Sequence, residues 1–207
     1  MNISLIGTGN MGSALAKLIS NAGYSLSLTG RDAAKGEQVA KGVNATYKAN
    51  AVAEGADVII LATGFGDAIG ALKAAGDLTG KVVVDITNPL TADYMGLTLG
   101  YSTSAAEEIQ KAFPSAKVVK AFNTVFAQVL GAGPQLSDQT VPVFFAGDDA
   151  DAKSVVKSLI EKLGFEAVDA GGLKNARYLE PLAGLNIYLG YGAGQGTSVA
   201  PKWIGLK

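Results

Sequence analysis

The sequence of 207 residues contains no cysteine and no histidine. Without cysteine there is neither a disulfide nor a thiolate nucleophile. Without histidine the commonest acid–base group and metal ligand is missing as well. Charged residues are sparse, at 17%, and nearly balanced, for a formal net charge of −1. No basic block occurs, which excludes broad electrostatic binding to nucleic acid. No apolar run reaches the ~18 residues that a membrane-spanning helix requires. The chain enters a strand pattern at once, without the charged region and apolar core of a signal peptide. The expectation is a cytoplasmic protein that works on small molecules rather than on nucleic acid or a membrane.

What is present is an apolar chain, 48% hydrophobic with 27 glycines, in which strand and helix patterns alternate. Residues 2–6 read as a buried strand, 10–21 as an amphipathic helix stopped at Gly23, and 25–29 as a second strand. Asp32 can cap a helix running to about Lys41. A short strand at 45–47 and a short helix at 49–54 are expected next. The runs Asp57–Ala62 and Lys81–Ile86 are continuously apolar, as strands covered on both faces are. A helix at 67–75 lies between them. After a loop over 87–100, the pattern predicts a helix at 104–112, strands at 117–121, 141–146 and 166–169, a helix at 149–163 and a last helix from Leu173 to about Leu189. The tail, 190–207, reads as irregular and glycine-rich, either a mobile end or a loop lying against a ligand. This alternation predicts an α/β, Rossmann-type doubly wound sheet, mostly parallel, with a short C-terminal helical or irregular extension. One domain is expected over 1–207, with a nucleotide-binding core at 1–125 and a C-terminal part at 126–207 completing the acceptor site.

The strongest motif is Gly7-Thr8-Gly9-Asn10-Met11-Gly12, a GxGxxG between a strand and an amphipathic helix. Gly7 permits the tight turn, Gly9 leaves room for a pyrophosphate and Gly12 lets the helix approach the strand. The free N–H groups and positive end of that helix favour a diphosphate. Where an NAD-preferring protein carries an acid on the ribose, this chain reads Thr29-Gly30-Arg31-Asp32, with Lys35 one turn further on. A guanidinium fork and an ammonium suit a 2′-phosphate, with a hydroxyl from Thr8 or Thr29, and so predict NADP rather than NAD. Asp32 either pairs with Arg31 or caps the helix.

Ligands in open α/β sheets bind at the carboxyl ends of the strands. These ends are Ala62-Thr63-Gly64-Phe65, Thr87-Asn88-Pro89 and Ala121-Phe122-Asn123-Thr124. Thr63, Asn88 and Asn123 could hold a nicotinamide carboxamide or the second substrate. Phe65 and Phe122 could pack on a ring or belong to the core. No residue reads as a proton donor of the Ser-Tyr-Lys type and no metal cluster is visible, so neither a catalytic residue nor a metal is assigned. Hydride exchange between two cofactor rings depends on positioning more than on a protein acid.

The segments ISLIGTGNMGSALAKLI, LTGRDAAK, VVVDITNPL, VPVFFAGDD and DAGGLKNARYLEPLAGLNI together resemble the NADP oxidoreductases dependent on the deazaflavin coenzyme F420. The ferric-reductase domain of the STEAP metalloreductases is a more distant relative of the same layout. The resemblance implies NADPH on the glycine turn, with 2′-phosphate contacts at Thr8, Gly30, Arg31 and Lys35, and a flavin or deazaflavin stacked near the nicotinamide as second substrate. The expected function is hydride transfer between NADPH and such an acceptor. An NADPH-binding redox sensor without turnover, or a reductase of a small imine or hydroxy acid, stands as the alternative. A homodimer is the one protein partnership anticipated.

Overall fold

The computed structural model describes residues 1–206. Eight strands form one sheet: β1 (Asn2–Ile6), β2 (Ser25–Thr29), β3 (Thr46–Tyr47), β4 (Val58–Leu61), β5 (Val82–Asp85), β6 (Lys117–Ala121), and further along the chain β9 (Pro142–Gly147) and β10 (Glu166–Asp169). Their spatial order is β10-β9-β6-β5-β4-β1-β2-β3. All neighbours pair parallel except β6 and β9, which are antiparallel. A two-stranded hairpin of β7 (Gln135–Leu136) and β8 (Gln139–Thr140) stands apart.

Side-chain alternation along the central strands explains the two helical layers. Val58 and Ile60 of β4 join one apolar cluster with Leu15 and Ile19 of α1 (Asn10–Asn21) and Val156, Leu159 and Ile160 of α6 (Ala150–Lys162). Ile59 and Leu61 face the other way, onto Leu72 of α3 (Phe65–Ala75) and Ile109 of α4 (Ala105–Ala112). Every residue of β4 and β5 is buried, which is why both strands lack polar alternation. Cutting Ile60 back to alanine in such a core would cost about 2–5 kcal/mol.

Local signals end the helices where expected. Asp32 caps α2 (Ala33–Gly42) by accepting the Lys35 N–H at 3.0 Å. Asp149 caps α6 through the Ala152 N–H at 2.8 Å. The expected helix at 49–54 does not form. Ala51 and Gly55 take positive φ, 48° and 74°, and the segment turns instead, presenting Val52 and Ala53 to the core. Residues 126–140 hold elements that periodicity had not suggested, α5 (Ala127–Ala132) and the hairpin. The last helix, α7 (Ala176–Ile187), follows a 3-10 turn at Leu173–Asn175 and runs into a π turn at Tyr188–Gly192. The remaining tail is held down. Trp203 stacks edge-on against Phe144 at 5.4 Å, and Lys202 Nζ donates to Thr140 O and to Glu166. Among the described residues no helix is long and apolar enough to cross a membrane.

Candidate functional site

From β1 the chain builds outward to β2 and β3, then returns across the sheet to β4 on the other side of β1. The crevice at the carboxyl ends of β1 and β4 is therefore a topological switch point. Gly7 turns the chain there with φ of 112°, and an added Cβ would lie 2.3 Å from the Ala62 carbonyl oxygen. Gly12 sits tighter still, its added Cβ 1.9 Å from the Gly7 carbonyl oxygen. Gly9 caps α1 without a side-chain hydrogen bond, and a Cβ on it would meet nothing within 4 Å. Space lies in front of Gly9, and the uncapped first-turn N–H groups of α1 border it.

That space opens into a cavity of about 730 Å³. It gathers Gly7, Thr8, Gly9, Thr29, Gly30, Arg31, Lys35, Ala62, Thr63 and Gly64 around one slot. Asn10, Met11, Gly12, Asn88, Pro89 and Asn123 lie outside that lining. Met11 turns its side chain to the core, so only its backbone faces the turn. Gly30 leaves room for Thr8: a Cβ there would stand 2.8 Å from the Thr8 hydroxyl oxygen. Arg31 spans the mouth of the slot, its Nη1 3.2 Å from Asp67 Oδ2 on the first turn of α3, and its side chain is 89% exposed. With Asp32 committed to its cap, Arg31 pairs with Asp67, a partner its sequence position did not suggest.

A second group of polar residues stands at the ends of β5 and β6. Asn88 and Asn123 are bonded to each other twice: Asn88 Nδ2 donates to the Asn123 backbone carbonyl and Asn123 Nδ2 donates to Asn88 Oδ1, both at 3.0 Å. Asn123 Nδ2 also donates to Leu179 O at 3.0 Å. Phe122, between β6 and Asn123, takes φ of 60°, a left-handed conformation that costs a non-glycine residue of order 1–3 kcal/mol. It is fully buried and packs edge-on against Phe165 at 6.4 Å. Phe122 is thus a core residue that aims Asn123 and does not pack on a ligand ring. Phe65 likewise opens α3 and leans on the core. Thr63 Oγ1, Thr87 Oγ1, Asn123 Oδ1 and Thr124 Oγ1 are buried with no hydrogen-bond partner among the described residues. All four sit at the ends of β4, β5 and β6, where a ligand or water is expected to satisfy them.

Beneath these residues lie three buried charges, Asp85, Lys120 and Glu180. Lys120 Nζ approaches Asp85 Oδ2 at 2.6 Å and Glu180 Oε1 at 2.8 Å. Burial alone would push the ammonium down, but the two carboxylates more than offset it and hold Lys120 above its ordinary value. Lys120 carries no motif in the sequence: β6 reads KVVKA, with a second, half-buried lysine at Lys117, and only the structure shows that Lys120 is buried while Lys117 is not. Nearby, Arg177 of α7 grips Glu107 of α4 with two hydrogen bonds, at 2.7 and 2.8 Å. These bonds, against a smaller opposing effect of burial, pull the Glu107 carboxyl below its usual range.

A model of the family "NADP oxidoreductase coenzyme F420-dependent" matches residues 2–89. The F420-dependent NADP reductase of Methanothermobacter marburgensis is 32% identical over 214 residues, covering 91% of this chain and 92% of that protein. The chain belongs to this family. A candidate F420-dependent NADP reductase from Arthrobacter sp. FB24 superposes with a TM-score of 0.89 at 33% identity, covering 98% of this chain and 99% of that one. The rat metalloreductase STEAP3 is 30% identical over 182 residues, 87% of this chain but 36% of that protein, so this chain spans little more than a third of that relative's length. An imine reductase from Myxococcus stipitatus has a TM-score of 0.69 at 18% identity, a likeness of fold alone.

Proposed function

We propose that this oxidoreductase moves hydride between NADPH and a flavin-like or deazaflavin acceptor. In this reading the pyrophosphate rests on the Gly7–Gly12 turn, where uncapped N–H groups and the positive end of α1 favour it. Arg31 and Lys35, with the Thr8 and Thr29 hydroxyls, take the 2′-phosphate. Lys35 supports this role because its side chain makes no ion pair among the described residues, and Arg31 because its one partner, Asp67, is solvent-exposed and exchangeable. Thr63 and the Asn88–Asn123 pair stand where the nicotinamide end of an extended dinucleotide falls.

The observation that carries the choice of acceptor is the chemistry at the ends of β4 to β6. Threonine and asparagine stand there, and the titratable groups beneath are 0–1% exposed and bonded to one another. Reducing a ketone or an imine calls for a proton donor in reach of the carbonyl oxygen or imine nitrogen while hydride reaches the carbon. A ring that accepts hydride and equilibrates its proton with solvent needs only alignment. When bound, NADPH supplies the hydride itself. The protein's part is to hold the two rings in register.

The end of α7 suits the wall of an acceptor slot. Asn186 Nδ2 donates to Thr124 O at 3.1 Å, and Tyr191 packs edge-on against Phe126 at 5.7 Å. Following NADPH absorbance with FMN, FAD or a deazaflavin present tests the reading. Turnover with one of them is expected. Tight NADPH binding without turnover on any ring acceptor, but with turnover on a small ketone or imine, would contradict it.

A further inference from the structure

The buried charges have a use beyond holding one another. The Lys120 ammonium has three N–H donors, and all three are engaged: Asp85 Oδ2 at 2.6 Å, Glu180 Oε1 at 2.8 Å and the Thr87 carbonyl oxygen at 2.7 Å. Asp85 Oδ1 accepts the Thr87 N–H at 2.8 Å. Both polar groups of the Thr87 backbone are therefore clamped by the cluster. Glu180 in turn accepts the N–H groups of Ala105 and Ala106, at 2.9 and 3.3 Å, in the opening turn of α4. The cluster carries one excess negative charge, which the positive end of α4 offsets.

A closed circuit results. From Lys120 it passes to the backbone of Thr87, along the chain to Asn88, across the paired amides to Asn123, from Asn123 Nδ2 to the Leu179 carbonyl, and through Glu180 back to Lys120. It joins β5, β6 and α7, and touches nothing around Gly7, Arg31 or Lys35. Buried ion clusters seldom stabilise a protein more than well-packed apolar side chains would. What this one supplies is a fixed place for the Asn88–Asn123 pair.

We propose that Lys120, with Asp85 and Glu180, is a positioning residue for the nicotinamide half of the cofactor. The proposal rests on the reading that the ends of β5 and β6 receive that half. Glu180→Gln tests it, since glutamine keeps the shape and leaves Lys120 and Asp85 paired one to one. Calorimetry would compare NADP+ with adenosine 2′,5′-bisphosphate, which has the phosphate-bearing ribose but no nicotinamide. The expected result is a loss of about tenfold for NADP+, with the bisphosphate affinity unchanged. Equal losses for both ligands, or a lower Tm with neither affinity altered, would overturn the proposal and leave the cluster purely structural. Native protein that binds neither ligand would instead remove the nucleotide reading beneath it. If Glu180→Gln does not fold, hydrogen exchange on the native protein decides. The Thr87, Ala105 and Ala106 amides should be protected more by NADP+ than by the bisphosphate, and equal protection by both contradicts the proposal.

Discussion

At the glycine-turn end of the slot, the residues from Gly7 to Lys35 come from one continuous turn–helix–strand–helix run. At the other end, Thr87, the neighbours Lys120 and Asn123, and Glu180 are brought together from three distant stretches. The first end is made of backbone and absent side chains: a carbonyl 1.9 Å from where a Gly12 Cβ would be, and open space before Gly9. The second is made of buried side chains that specify one another. A site of the first kind tolerates little in its own turn and leans on the rest of the molecule at few points, here the Ala62 carbonyl and Asp67. A site of the second kind transmits a change in any member to the others.

Substituting Gly12 by valine should do most harm. Two backbones cannot both yield at that distance, so NADPH binding should vanish in titration, and circular dichroism would show whether the fold survives. Lys120→Met comes next. It leaves two buried carboxylates without a counter-charge and should cost about 3–5 kcal/mol of stability, read by urea denaturation. Adding Asp85→Asn and Glu180→Gln to it should restore much of that loss. Unchanged stability in the single variant would mean the cluster is not charged as described. Arg31→Ala should weaken NADPH by about 1.5–3 kcal/mol, as losing a charge-assisted contact does, and leave NADH almost unaffected; the two Kd values measured side by side give the answer. Asp67→Asn frees Arg31 from its exposed partner and should tighten NADPH about two- to fivefold, with no change for NADH. The smallest effect concerns the scaffold of the second end. The Glu107 carboxyl lies below its ordinary value of 4.5, so the stability it contributes is present above that value and is lost as pH falls through its lower, folded-state value. Native protein and Glu107→Gln should therefore differ in Tm at neutral pH and converge in acid, which a pH series of melting curves would reveal.

The same contrast explains what could be read in advance. The glycine turn, Arg31 and Lys35 are legible because the requirement is local: small residues in a tight turn, then a cation one turn along a helix. The strands and one cap were legible for a similar reason, apolar runs for β4 and β5 and Asp32 before α2. Asn88 and Asn123 could be placed at strand ends, but nothing in their neighbourhoods announces that their amides pair. Lys120 was invisible because its partners lie 35 residues back, at Asp85, and 60 residues on, at Glu180. Phe122 was open to two readings until its positive φ placed its ring in the core. At 49–54 a short helix was expected, and the left-handed Ala51 turns the chain instead.

Fluorescence titration of the native protein with NADPH and with NADH, under identical salt, tests the central assignment most directly. NADPH should bind at least about tenfold more tightly, a difference of 1.4 kcal/mol, and that margin should shrink as salt screens Arg31 and Lys35. Equal affinity for the two nucleotides, or no response to either at millimolar concentration, would contradict it.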